Sequence, residues 1–289
     1  MSYPKHSPRV AGPTELEPLK INRAHAAGDV LLLEPIISEL VNRGYEVHLS
    51  TNHPDIVRDI PGLTCVPYQA GLDLNFDGVY ENTPQMHVTE AYLLHAGLDK
   101  ALLRKPRVYI KPEPVEHDSP IVLSIDNQYL PHRQINGLTP DDWTDIVEHL
   151  ERTTRKKVLL LSNNLGSSLL NHEPRLFKET PDIPALVNTI RSASLFIGND
   201  SLCAHIANSL SIPSLVFIGS VNPEFRFADA QPDFHIMQNG CEFAGCYHTV
   251  IGTAGASCVL EGSQNVKCCT FTKEQVLNKL NLILKNYDV

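Results

Sequence analysis

The chain has 289 residues, 42% hydrophobic and 20% charged, a globular balance that excludes a disordered or collagen-like polymer and leaves room for two domains. Its formal net charge of −9 and pI near 5.8 advertise no basic face, which argues against nucleic acid as a partner. The longest apolar runs fall well short of the roughly 18–20 residues of a membrane-spanning helix, so no transmembrane segment is expected.

Residues 1–18 are polar and Pro-rich, without the apolar centre of a secretory leader. They read as a flexible lead, and the expected location is cytoplasmic. A weak strand candidate, "LKIN", follows. From Asp29 the apolar positions Leu33, Ile36, Ile37, Leu40 and Val41 recur at helical spacing, and Gly44 ends the helix. "YEVHLST" reads as a buried strand, so the first module is β-loop-α-β with "HAAGD" as its βα loop. "LTCVPYQ" and "VTEAYLLHAGLDKALL" are a further strand and helix. Residues 105–120, with four prolines and many charges, read as an interdomain linker.

A second alternation runs through the strand "IVLSIDN", a helix near Pro140–Leu150, the strand "KKVLLLS", a helix around Ile183–Ser192, the strand "SLFIG", a helix around Cys203–Leu210 and the strand "PSLVFIG". Strands alternating with helices predict parallel sheets. Beyond residue 228 the pattern dissolves into Gly, Cys and polar residues, then recovers in a last amphipathic helix, "TKEQVLNKLNLILKNY". The expected class is α/β with two Rossmann-like domains, 19–113 and 114–289, the second carrying a Cys-rich segment at 241–269. Parallel sheets bind ligands on their βα loops, and "HAAGD" and "GNDS" are such loops, one in each half.

The sequence lacks the glycine fingerprint of a dinucleotide site, a P-loop, the zincin and serine-hydrolase motifs and a D-x-D carboxylate pair. Asp29 after Gly28 has two readings: a carboxylate that complements the helix dipole for about 0.3–1 kcal/mol, or a general base. Asp200 and Ser201 are capping residues for about 1 kcal/mol, or, with the free N–H groups of the helix start and His205, a phosphate site. His205 is otherwise a hydrogen-bonded core histidine.

Gly28-Asp29-Val30-Leu31 with Pro35, and Asp200-Ser201 with His205 and Ala207 followed by Gly219 and Pro223, resemble the two hallmark segments of the heptosyltransferases, glycosyltransferase family 9. The resemblance spans most of residues 21–285. It implies a GT-B fold with its sheets facing a central cleft. It also implies inverting transfer from a nucleotide diphosphate sugar, with no metal or other cofactor in the transfer. The sugar so implied is heptose, carried as ADP-heptose, and the acceptor is a glycan or protein hydroxyl, lipopolysaccharide in the best-known case. By the same resemblance Asp29 is the base and Asp200, Ser201 and His205 contact the donor diphosphate and sugar; Gly28, beside Asp29, is expected at the donor as well. The loop that often carries a family Lys holds none here, and Arg133 is the nearest cation able to clamp phosphate. The missing Lys, Leu202 in place of a Gly, and Pro184 about where an acidic residue belongs keep open a nucleotide-sugar-binding protein without turnover on a decayed GT-B scaffold. A nucleotide-sugar epimerase is a third reading.

Five cysteines near the C-terminus are spaced C-x4-C-x11-C-x9-CC, which is not a zinc ribbon. The segment has few large apolar residues and needs a staple. Some heptosyltransferase-like enzymes that modify proteins carry cysteine-bound iron in this region. Cys241, Cys246, Cys258 and Cys268 are therefore expected to hold a structural Zn or Fe, with Cys269 spare and His248 a substitute; the alternative is a set of reduced or disulfide-bonded thiols. Cys65 and Cys203 are assigned to packing.

Overall fold

The computed structural model describes residues 17–67, 70–83, 85–114, 119–125, 135–161, 176–180, 182–241, 245–246 and 267–285. The chain divides into two compact units. One runs to Lys111 and includes Glu224–Asp229; the other comprises Pro112–Pro223 and the chain from Ala230.

In the first unit β1 (Leu19–Asn22), β2 (Val47–Ser50), β3 (Leu63–Val66) and β4 (Leu74–Asn75) form a parallel sheet of order β3-β2-β1-β4. The helix expected after Asp29 is two helices, α1 (Ala27–Leu32) and α2 (Glu34–Asn42). Pro35 has no N–H to return to Leu31, so the first helix stops and the amides of Ile36 and Ile37 bond to Leu33 instead. Ile36, Ile37 and Leu40 are fully buried, as their spacing predicts. Gly44 takes φ +90, a conformation in which other residues are strained. Helix α3 (Val88–His95) packs Tyr92 edge-on to Phe76 in the same core.

In the second unit β5 (Ile121–Ser124), β6 (Val158–Leu160), β7 (Leu195–Asn199), β8 (Ser214–Phe217) and β9 (Phe234–Met237) form a parallel sheet of order β6-β5-β7-β8-β9. Its helices are α4 (Pro140–Thr154), α5 (Ile183–Arg191), α6 (Leu202–Ser209) and α7 (Lys273–Lys285). Helix α4 starts at a capping box: Thr139 Oγ1 accepts from the Asp142 N–H, and Asp142 Oδ2 accepts from the Thr139 N–H. It buries Trp143, Ile146, Val147 and Leu150 in a core shared with Phe217, Phe271 and Val276. All five residues of β7 are buried, the mark of a central strand covered on both faces. Strand β9 corrects the expectation that regular structure stops at residue 228. Its four residues are too few to display a period, and they pair with β8 from Ser214↔Phe234 to Phe217↔Met237.

Candidate functional site

In an open parallel sheet ligands bind beyond the carboxyl ends of the two neighbouring strands where the strand order reverses. Those strands are β1 and β4 in the first sheet and β5 and β7 in the second. Polar side chains collect at both places.

In the first unit Arg23 follows β1 directly. It is 4% exposed, and its Nη2 is bonded to Asp29 Oδ2. Nη1 donates to the Phe76 carbonyl at 3.3 Å and approaches Asp77 at 3.5 Å, and Nη2 lies 3.5 Å from Glu81. Asp77, just past β4, also accepts from Asn22 Nδ2 at 2.6 Å and from the Ala24 N–H at 3.0 Å. Two guanidiniums approach the Tyr80 ring, Arg23 at 5.8 Å and Arg226 at 5.1 Å from its centre. Burial pulls the Arg23 pKa down, but the charges of Tyr92, Asp29 and Glu81 more than reverse it, so Arg23 stays a cation. Burial drives the Tyr92 phenol well above its ordinary range.

Asp29 lies in the first turn of α1, so both readings of its position remain structurally sound. Ala26, which caps that helix, adopts φ +61, a strained choice for a residue with a side chain. Gly28 lies between them within α1.

Four buried polar atoms of this cluster have no hydrogen-bond partner: Asn22 Oδ1, Arg23 Nε, Glu81 Oε2 and Tyr92 OH. The same unit shows what a fully matched carboxylate looks like. Glu34, fully buried, accepts from both Arg104 nitrogens (2.6 and 3.0 Å), the Arg107 N–H (2.8 Å), Ser38 Oγ (2.6 Å) and Tyr109 OH (3.3 Å). Buried polar groups are nearly always satisfied, so a concentration of orphans marks a place shaped by something other than packing.

In the second unit Asn199 ends β7, and Asp200 and Ser201 lead into α6. His205 Nε2 lies 3.6 Å from Asp200 Oδ1, so the helix brings the two together despite their five-residue spacing. Asp200, Ser201 and His205 are all buried. Ser201 occupies the N-cap position but makes no capping bond, and its Oγ is buried without a hydrogen-bond partner. The Cys203 thiol lies near Ser201 and near Ser124 at the end of β5; burial raises its pKa more than those hydroxyls lower it. A Cβ on Gly198 would come within 2.7 Å of the Ser124 carbonyl oxygen, so only glycine lets β7 approach β5 so closely here.

No family model matches the sequence, and no curated protein matches it. Solved structures do match. The iron-containing dodecameric glycosyltransferase TibC from enterotoxigenic E. coli H10407 superposes with TM-score 0.74 at 18% identity, over 93% of this chain and 76% of that one. The chain has the GT-B fold. A glycosyltransferase family 9 protein from Veillonella parvula shares that fold with TM-score 0.67 at 12% identity, over 95% of this chain and 99% of that one. So does the E. coli heptosyltransferase WaaC, solved with ADP, with TM-score 0.60 at 10% identity, over 91% of this chain and 99% of that one. TibC has also been solved with ADP-D-beta-D-heptose.

Asp29, on one unit of this GT-B chain, and Asp200, Ser201 and His205, on the other, stand where their sheets reverse order. Arg133 and Cys258 lie outside the described residues, as does His248. Cys268 and Cys269 are buried in the core of the second unit, with Cys241 at its edge. A hydrogen bond with Cys269 lowers the pKa of Cys268. Among the described residues no three His, Cys, Asp or Glu side chains come together as a metal-ligand set. No helix among the described residues is long and apolar enough to cross a membrane.

The sequence reading missed Arg23, Tyr80, Asp77, Glu81, Tyr92 and Arg226. One local signal existed: Arg23 is a charge immediately after a strand, in a parallel sheet whose strand ends build sites.

Proposed function

We propose that the chain is a heptosyltransferase-like glycosyltransferase that moves a sugar from a nucleotide diphosphate sugar to a hydroxyl of a glycan or protein, with inversion and without a metal in the transfer step. What supports this reading is that the Arg23–Asp29 pair and the Asp200–Ser201–His205 group lie at the order reversals of the two sheets of a GT-B chain. Asp29 takes the proton of the acceptor hydroxyl as its oxygen attacks the anomeric carbon. The bond from that carbon to the diphosphate breaks, and the nucleoside diphosphate departs with the electron pair. The start of α6, the Ser201 hydroxyl and His205 stabilise the departing charge, with Gly28 and Asp200 shaping their respective loops and Arg133 supplying a guanidinium. ADP and ADP-heptose, bound by relatives of the same fold, are the first nucleotide and donor to test. A cytoplasmic location belongs to this proposal. So does a structural Zn or Fe at Cys241, Cys246, Cys258 and Cys268; TibC, also of this fold, contains iron.

The test has two stages. ADP, UDP, GDP and their sugars are screened by thermal shift, where a ligand at 100 times its dissociation constant adds about 2.7 kcal/mol. Nucleotide release is then followed with and without hydroxyl acceptors. Acceptor-dependent release is expected. Binding without release under any acceptor would mean a carrier, and sugar conversion without acceptor an epimerase.

A further inference from the structure

We propose that Arg23 is the positioning residue of the transfer: it fixes the Asp29 carboxylate by holding Oδ2 and leaves Oδ1 as the atom that takes the acceptor proton. This rests on the glycosyl-transfer reading, in which Asp29 is the base.

Among the described residues Arg23 is the only hydrogen-bond donor to the Asp29 side chain. The backbone around Asp29 belongs to a six-residue helix with a strained cap, which sets the Cα but not the carboxylate rotamer. That carboxylate is 14% exposed, open enough to meet a substrate.

Arg23 itself is locked. The Phe76 carbonyl, Asp77 and Glu81 fix its nitrogens, and its guanidinium lies against the rings of Tyr80 at 5.8 Å and Tyr92 at 5.9 Å. Asp77 is in turn tied to Asn22 and to the Ala24 amide, the residues flanking Arg23 in sequence. These contacts support the guanidinium at the place from which it bonds Asp29.

Stability does not account for the arrangement. A buried guanidinium is a poor stabiliser unless every donor is matched. Here Nε has no acceptor, and Glu81 Oε2 and the Tyr92 hydroxyl beside it have no partner. The Glu34–Arg104 pair of the same unit shows that this chain does build a buried carboxylate site with every oxygen matched. A positioning role needs what the Arg23 site has: a single bond to the reacting carboxylate and a rigid support behind it.

The test is a kinetic cycle on kcat with Arg23→Gln, Asp29→Asn and the double variant, plus Arg23→Lys. Misplacement of a base supports a loss of about 10- to 10²-fold for Arg23→Gln, with the donor KM within about twofold. Lysine keeps the charge and loses the fork, so Arg23→Lys should recover part of that loss. In the Asp29→Asn background Arg23→Gln should change kcat by less than about twofold, because a residue that acts through Asp29 has nothing left to act on. If Arg23→Gln does not fold, Arg23→Lys and its double variant carry the same cycle. The full loss recurring in the Asp29→Asn background, or no loss beside wild type, would overturn the proposal. A wild type that releases no nucleotide from any donor would instead overturn the glycosyl-transfer reading, and this proposal with it.

Discussion

Ser201→Ala should move stability and ligand affinity in opposite directions. A serine at an ordinary N-cap contributes about 0.5–2 kcal/mol through its bond to a backbone N–H. Ser201 makes no such bond, so that loss is close to zero. Its hydroxyl is buried without a hydrogen-bond partner, and removing an unsatisfied polar atom returns about 1–3 kcal/mol of desolvation, less whatever the nearby Cys203 thiol contributes. The variant should therefore be as stable as wild type or more stable, by up to about 2 kcal/mol. A hydroxyl bound to a diphosphate oxygen is worth about 1.5–3 kcal/mol, so nucleoside diphosphate affinity should fall about 10- to 150-fold. Trp143, the chain's single tryptophan, sits in the core of the same unit, edge-on to Phe217 at 6.1 Å, and reports urea unfolding there. Calorimetry with ADP, UDP and GDP reads the affinity. A variant about 1 kcal/mol less stable with unchanged affinity would restore the plain capping role and remove Ser201 from the donor site.

Asp29→Asn should lower turnover by roughly 10²–10⁴-fold with donor affinity intact in calorimetry; wild-type turnover would remove Asp29 from the chemistry. Gly198→Ala puts a Cβ 2.7 Å from the Ser124 oxygen and should destabilise the second unit by about 1–3 kcal/mol in the Trp143 assay. Arg104→Met leaves the buried Glu34 with neutral donors only and should cost about 3 kcal/mol. Arg43→Met, in an exposed pair with Glu39, should cost under about 1 kcal/mol; equal losses in urea unfolding would contradict the contrast. Protein purified without chelator should contain close to one Zn or Fe and melt lower after EDTA. Less than about 0.2 equivalents with unchanged melting would mean that the cysteines hold no metal.

The fold was legible wherever one element carries its own period or punctuation. Helix α2 shows its buried stripe and its Gly44 stop, α4 announces itself with Thr139-Pro140 and Asp142, and β5, β7 and β8 are apolar runs. What escaped was set by neighbours. Strand β9 has four residues and β4 only two, and each is defined by the strand it pairs with rather than by its own pattern. The split between α1 and α2 follows from one missing amide at Pro35, which a hydrophobic stripe does not register. Asp200, Ser201 and His205, which we propose for the donor site, stand out in the sequence because they are close together on one loop and helix. Arg23, Asp77, Glu81 and Arg226 were not, because only the sheet order and the return of Glu224–Asp229 to the first unit bring them together.

The contrast between Glu34 and the Arg23 site extends this argument from geometry to energy. Each carboxylate is buried or nearly so and each faces a guanidinium, yet Glu34 has its oxygens matched by five donor groups while the Arg23 cluster leaves four atoms unmatched. At about 1–3 kcal/mol for each unsatisfied atom, that deficit is comparable with a whole domain's net stability of about 5–15 kcal/mol. A chain selected for packing alone would exchange such groups for apolar ones of similar volume. Ser201 in the second unit carries the same kind of deficit on a smaller scale. Removing an unmatched hydroxyl, as in Ser201→Ala or Tyr92→Phe, should therefore stabilise the fold or leave it unchanged while impairing whatever the group binds, whereas removing Arg23 strands the Asp29 carboxylate and, like variants at Glu34, should destabilise it. For such unmatched hydroxyls the sign of the stability change distinguishes a binding group from a structural one, independently of any assay of turnover.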